Sequence, residues 1–334
     1  MKRKILSVLV IAAMTMSLGM TAWAGEYESI DITGGNAAQE DDSLDTAMDY
    51  LIDTLNERTG GAVTGTVHNN SQLGGHSDMI SAVQMGSIQV AEATAAILST
   101  VAPKFTIFDL PYIAPKTAYE VYDLLSGEAG DILIQDAVDN AQIHPISWMC
   151  RTPRHVYSAV GPINTIEDWK GLKIRTMQSA AMVEAMELLG AQPQEIATAE
   201  RYLALQTGVV DAAENNVAEI YNCKEYEVTS YLSKTAHLVA PNVMYVGENW
   251  LNGLSDDLRA LVLEVGTEAG ALATKIESEN EASFEEKLVS EGGMTVNEPE
   301  MSPEYAEKLA PLYEEYADVV GEELLALFQE ASAE

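Results

Sequence analysis

The sequence predicts an α/β protein of two domains. Three observations carry that reading. Its 334 residues exceed what one hydrophobic core usually serves. Strand-like runs alternate with amphipathic helical runs in two successive sets, the pattern of sheets covered by helices. A helical tract too long for one compact domain then follows, long enough to cross both. The partition expected is residues 25–150 with 240–280 in the first domain, and 151–239 with 281–334 in the second.

Residues 1–24 stand apart. Lys2, Arg3 and Lys4 precede the apolar run ILSVLVIAAM, and Ala22-Trp23-Ala24 supplies the small residues of a cleavage site. The reading is a secretory signal peptide cut after Ala24, on a protein destined for the periplasm. No cysteine follows the apolar run to carry a lipid anchor.

In the first set, ESIDIT (28–33) alternates as a strand. Leu44, Met48, Leu51, Ile52 and Leu55 share one helical face, and Gly60-Gly61 stops that helix. AVTGTVH (62–68) is strand-like, NNSQLGG a loop, DMISAVQMG an amphipathic helix and IQVAEAT a short strand. FDLPYIAP (108–115) is a proline-punctuated connection, and one helical stretch follows over about 117–141. HPISWMC (144–150) reads as a buried strand.

The second set gives strands at HVYSAV and GLKIRTM, and helices at SAAMVEAMELLG and TAERYLALQTG. VVDAAENN is a strand with a loop, and HLVAPNVMYVG (237–247) reads as strands. Ser255 is placed to cap the long tract, with Asp256 and Asp257 against its positive end. Apolar residues recur through Leu258, Leu261, Val262 and Val265 to Leu288, before Gly292-Gly293. Pro303 opens the last helical region, where its missing N–H costs nothing.

Charge narrows the function. The chain has 52 acidic against 18 basic residues, a net charge of −34, so nucleic acid and anionic lipid are disfavoured partners. With 47% hydrophobic residues it is not a disordered polyanion. It lacks the GxSxG, HExxH, Walker, GxGxxG, CxxC and EF-hand patterns, and its five histidines show no i, i+4 pairing. No cofactor or metal is expected, and nothing supports an enzyme; an exported enzyme acting on organic acids is the alternative class. Cys150 and Cys223 have the choice of pairing or staying free, and spacing does not decide it.

Positive charge is concentrated in one place. Arg151, Arg154, Lys170, Lys173 and Arg175 fall within 25 residues. Arginine presents a planar fork that matches a carboxylate bidentately, and lysine does not. From charge alone, ordinary pairing with surface carboxylates accounts for such a run.

The surrounding motif changes that balance. RHVYSAVGPINTIEDWKGLKIRTMQS (154–179), continued by LLGAQPQEIATAERYLALQTGVVDAAEN (188–215), resembles solute-binding proteins of tripartite ATP-independent periplasmic (TRAP) transporters. The type is the one that binds C4-dicarboxylates and sialic acid. ERTGGAV, SQLGGHSDMISAVQMGSI, FDLPYI and LSDDLRALV extend the likeness over essentially the whole mature chain.

The resemblance implies two α/β domains closing on a small organic acid, a long C-terminal helix spanning both, a membrane permease as partner, and a monomer. The family arginine of the KGLKIR block, which clamps the ligand carboxylate, falls on Arg175. A second falls on Arg154, with Arg151 the alternative; the asparagine of the EN pair falls on Asn215, beside Glu214. Lys170 and Lys173 are then solvated charges around a turn at Gly171. Asn36, Ser71, His76, Thr94, Gln178 and His237 occupy further family pocket positions, each equally well explained as a residue serving local backbone groups. Thr198 replaces an aromatic residue of the sialic-acid type, Thr94 its glutamate, and His76 an acidic group. A smaller mono- or dicarboxylate therefore fits better than sialic acid, with sugar acids and aromatic acids kept open.

Overall fold

A computed structural model describes residues 27–300 and 302–333. The signal-peptide reading of 1–24 lies outside the described residues. In chain order the strands are β1 (Ile30–Gly35), β2 (Val63–His68), β3 (Val90–Thr94), β4 (Ile143–Cys150), β5 (Arg154–Ser158) and β6 (Lys173–Thr176). They continue as β7 (Gln192–Glu195), β8 (Ala212–Asn215), β9 (Tyr231–Leu238), β10 (Pro241–Gly247) and β11 (Thr295–Asn297). The helices are α1 (Ser43–Arg58), α2 (His76–Gln84), α3 (Ala95–Leu98), α4 (Ala118–Leu125), α5 (Glu128–Ala141) and α6 (Ala180–Leu189). After them come α7 (Arg201–Gln206), α8 (Val217–Asn222), α9 (Glu248–Gly253), α10 (Asp256–Ser290), α11 (Pro303–Val320) and α12 (Glu322–Ala333).

Two sheets define two domains. The first has the order β2-β1-β3-β10-β4, with β1 parallel to β2 and β3, and β10 antiparallel to β3 and β4. The second has the order β11-β9-β5-β8-β6-β7, with β5 antiparallel to its neighbours and β6 parallel to β7 and β8. The chain passes between them at 151–153, at 239–240 and along α10.

Apolar faces explain the layers. Leu44, Met48, Leu51 and Leu55 of α1 pack with Val262, Val265 and Ala269 of α10 on one face of the first sheet. α4 and α5 cover its other face through Val121, Leu125, Leu133 and Ala137. The second sheet packs Tyr157, Ala213 and Leu232 against α7, α8 and the end of α10 at Leu288.

Helix α10 has 35 residues, about 52 Å at 1.5 Å per residue. It lies on α1, α4 and β4 of the first domain and on α8 of the second. Ser255 caps it by accepting from the N–H of Leu258. Two glycines let it sit directly on β4: a Cβ on Gly266 would stand 2.5 Å from the carbonyl oxygen of Ile146, and one on Gly270 2.6 Å from that of Trp148.

The structure differs from the sequence reading at several places. β7, β11 and most of β9 are strands that the reading does not give. The first strand lies two residues later than ESIDIT, at Ile30–Gly35. The stretch over 117–141 is two helices, broken at Ser126-Gly127, and Gly130 of the second comes so close to the carbonyl of Leu125 that a Cβ would stand 1.9 Å from it. The C-terminal segment does not simply follow the second domain. α11 packs on both α6 and the 3-10 turn Pro103–Asp109, and α12 lies on α4 and α5. Trp169 pins α11 by donating to Tyr305 Oη at 2.9 Å.

Candidate functional site

Sheet topology gathers the predicted residues. β8 ends at Asn215, β6 runs parallel beside it and carries Arg175, and antiparallel β5 begins at Arg154 opposite the same end. Three segments distant in sequence thus meet at one edge of the second sheet. That edge is the carboxyl end of the parallel strands, the usual ligand position in open α/β sheets. Across from it lie the loop after β1, the end of β3 at Thr94, and Asn242 at the start of β10, which pairs with Thr94.

Arg175 is the anomaly of the site. Its side chain is 1% exposed, and its Nε donates to the carbonyl of Ile196 at 2.8 Å. Its Nη1 is buried without a hydrogen-bond partner. Each of the other five described arginines (58, 151, 154, 201 and 259) is paired with a carboxylate; Arg175 is paired with none among the described residues. Burial pulls its pKa down to about 10, and the like charge of Arg201 adds to the effect. A cation in this state lacks an anion.

Arg154 is differently placed. Its Nη2 and Nε grip the two oxygens of Glu214, at 2.8 and 2.5 Å, and Nη2 also donates to the Glu214 carbonyl. Burial opposes ionisation of Glu214, but the charge and hydrogen bonds of Arg154, with His237 adding, hold its carboxyl down at about 2. The bidentate fork of Arg154 is therefore spent inside the protein, although the residue lines the cavity. Arg151 is likewise occupied, by Asp42 and Glu277 at 3.3 Å each.

Asn215 lines the same cavity, its Oδ1 taken by the N–H of Asn216. Asn216, which the sequence reading passed over, caps α8 through Oδ1 and leaves its buried Nδ2 without a partner. Two unpartnered buried donors, Arg175 Nη1 and Asn216 Nδ2, thus belong to walls of one pocket.

That pocket is small, about 40 Å³, and opens into a chamber of about 520 Å³. Ala37, His76, Thr94, Arg175, Met177 and Thr198 line both. The chamber falls within the range of about 300–1,000 Å³ typical of small-molecule sites. Ser71, with φ +56°, and Gln178, which is exposed, stand on its walls. Thr94 caps α3 and reaches across to Met177 Sδ at 3.6 Å.

The first-domain wall holds an acid that the sequence reading assigned to no residue. Thr94 stands at the position of the glutamate, yet Glu92, two residues earlier and on the same face of β3, lines the pocket. Its carboxylate accepts from Ala37 N at 3.0 Å and Asn242 Nδ2 at 2.7 Å, and lies 3.0 Å from His76 Nε2. Burial disfavours the His76 imidazolium, but Glu92 outweighs it and raises the histidine pKa.

Two expected residues lie elsewhere. Asn36 is buried off the cavity walls, braced by Asp45 at 2.9 Å and by the N–H of Ala38. Its amide is consumed in shaping the loop that presents Ala37. His237 lines a separate cavity of about 370 Å³ with Phe108 and Tyr112, and approaches the cleft only through Glu214, 3.5 Å away. Lys170 and Lys173 are exposed around Gly171, whose φ is +77°. Cys150 and Cys223 are free thiols. Among the described residues no three His, Cys, Asp or Glu side chains converge as a metal site.

Residues 34–318 match the family described as bacterial extracellular solute-binding protein, family 7. The chain belongs to that family. A member from Rhodobacter capsulatus, a C4-dicarboxylate-binding periplasmic protein, is 29% identical over 336 residues and 99% of each chain. A TRAP periplasmic solute-binding protein from Sulfitobacter sp. NAS-14.1, solved with bound β-D-galacturonate, is 29% identical with a TM-score of 0.84, over 90% of this chain and 100% of that one. A TRAP protein from Roseobacter denitrificans, solved with β-D-glucuronate, is also 29% identical, with a TM-score of 0.85 over 90% and 99%. Family membership makes this a TRAP solute-binding protein, and the family is one of receptors rather than catalysts.

Proposed function

We propose that this chain captures a small hydroxylated organic acid in the periplasm, through an Arg175–carboxylate pair, and delivers it to a TRAP membrane permease. The observation that carries the reading is the buried Arg175 guanidinium with no anion of its own, at the inner end of a chamber of about 520 Å³. A ligand carboxylate supplies the missing charge, and exclusion of water by the closing domains strengthens the pair. The unpartnered Asn216 Nδ2 adds a donor in the small pocket, which Asn215 and Arg154 also line. The hydroxyls of Thr94, Ser71 and Thr198 and the Glu92 carboxylate offer partners for ligand hydroxyls. Sugar acids fit that combination, and two relatives near 29% identity were solved holding uronates.

Calorimetry tests the clamp. Wild type is expected to bind D-galacturonate or D-glucuronate, and Arg175→Lys to lose at least about a hundredfold, because a lysine offers one point charge where the fork offers two parallel bonds. Wild-type affinity in Arg175→Lys would sink the proposal. Delivery is checked by uptake into vesicles carrying the partner permease, which should require this protein.

A further inference from the structure

The charges lining the outer chamber fall into two groups. Arg175 and His76 also line the small pocket. The remaining charged groups on its walls are Asp78 and Glu200. They come from opposite sides: Asp78 from the first turn of α2 in the first domain, Glu200 from the residue before α7 in the second. Both are exposed, and neither forms an ion pair with a described residue. Asp78 accepts the N–H of Gly75 at 3.0 Å, which fixes its position without neutralising it.

A solute whose carboxylate reaches Arg175 therefore shares the chamber with two unmatched negative charges, one from each domain. Glu92 adds a third acidic group on the first-domain wall, though one matched by His76. A hydroxyl on that solute can donate to any of these carboxylates. A second carboxylate beside them meets like charge from both domains, and the lining offers no cation beyond Arg175, which the first carboxylate occupies, and His76, which Glu92 already matches.

Resting on the proposed receptor function, we infer that the solute is a monocarboxylate with an uncharged, hydroxylated outer end, and that Asp78 and Glu200 reject solutes bearing a second carboxylate. The pair acts as a selectivity filter at the mouth of the site. It works by raising the cost of the wrong solute, not by gripping the right one. Because both carboxylates face solvent, the discrimination is modest and weakens with salt.

The test compares D-galacturonate with galactarate, the same carbon chain carrying a carboxylate at each end, by calorimetry on the mature protein. Wild type at about 20 mM salt is expected to favour galacturonate by at least about tenfold, and about 0.5 M salt to narrow the ratio. Asp78→Asn/Glu200→Gln, which keeps both shapes and the acceptor for Gly75, is expected to shrink the ratio about tenfold through tighter galactarate binding. Glu200→Gln alone, at an exposed position, shows part of the same shift should the double variant fold poorly. Galactarate bound as tightly as galacturonate by wild type, or a ratio unmoved by the substitutions and by salt, overturns the filter. If Arg175→Lys still abolishes galacturonate binding, the receptor reading survives that failure. Absence of binding for both acids in wild type overturns the filter and the receptor reading together.

Discussion

At the scale of single residues, the site is defined by which charges are already matched. Arg175 was legible because the KGLKIR motif named it; its solitude was not, since partners are set by folding. Asn216 and Asn242 left no signal that distinguishes them from other loop asparagines. Glu92 could have been found, because strand alternation puts it on the face of Thr94. Asp109 carries a separate consequence. Its Oδ2 accepts from Ser179 Oγ at 2.7 Å and Ser99 Oγ at 3.2 Å, while Oδ1 is buried without a partner. Burial pushes its pKa up to about 7, against the two serine bonds, with Glu214 adding to the rise and Arg154 opposing it. The folded pKa is above the unfolded value of 3.8, so the folded state binds the proton more tightly. Stability from this group is therefore lost as pH climbs between about 4 and about 7, at up to about 1.4 kcal/mol per pH unit. Urea unfolding of wild type and Asp109→Asn at several pH values isolates the effect. The difference between the two is expected to grow in favour of the variant as pH rises, and parallel curves would refute it.

At the scale of elements, periodicity located helices such as α1 and α10, but it missed most of the half-buried strand β9 and failed where close backbone approach decides. Where α4 gives way to α5, Gly130 packs against the carbonyl of Leu125 at the end of α4, an approach that hydrophobic periodicity does not register. The same physics governs α10. Gly270 is a poor helix former, and alanine would gain about 1 kcal/mol of intrinsic propensity. The added methyl would instead stand 2.6 Å from Ser147 Oγ and the Trp148 carbonyl. Gly270→Ala is expected to destabilise by roughly 2 kcal/mol or more, despite the propensity gain, because overpacking shifts helix from sheet. Thermal unfolding checks the sign, and a raised midpoint would show that α10 does not need this contact.

At the scale of the whole molecule, the two-domain architecture was readable from length, alternation and one overlong helix. The route of the last helices was not, because amphipathic periodicity states that a face is buried without naming what buries it. A net charge of −34 places self-repulsion over the entire surface. Raising sodium chloride from about 0.02 to about 0.5 M is expected to raise Tm by several degrees, since screening relieves repulsion more than it weakens exposed pairs such as Arg58–Glu268. A lower midpoint in salt would reverse that ranking. The strand order has a further outcome. β10 fills the gap between β3 and β4, yet the ribosome makes it only after β5 to β9, and β11 and α11 come later still. Neither half can close its sheet while the C-terminal third is missing. Such pairings, distant along the chain, fold slowly. For a family described as extracellular, that order leaves both domains unlocked until the last third of the chain has been made.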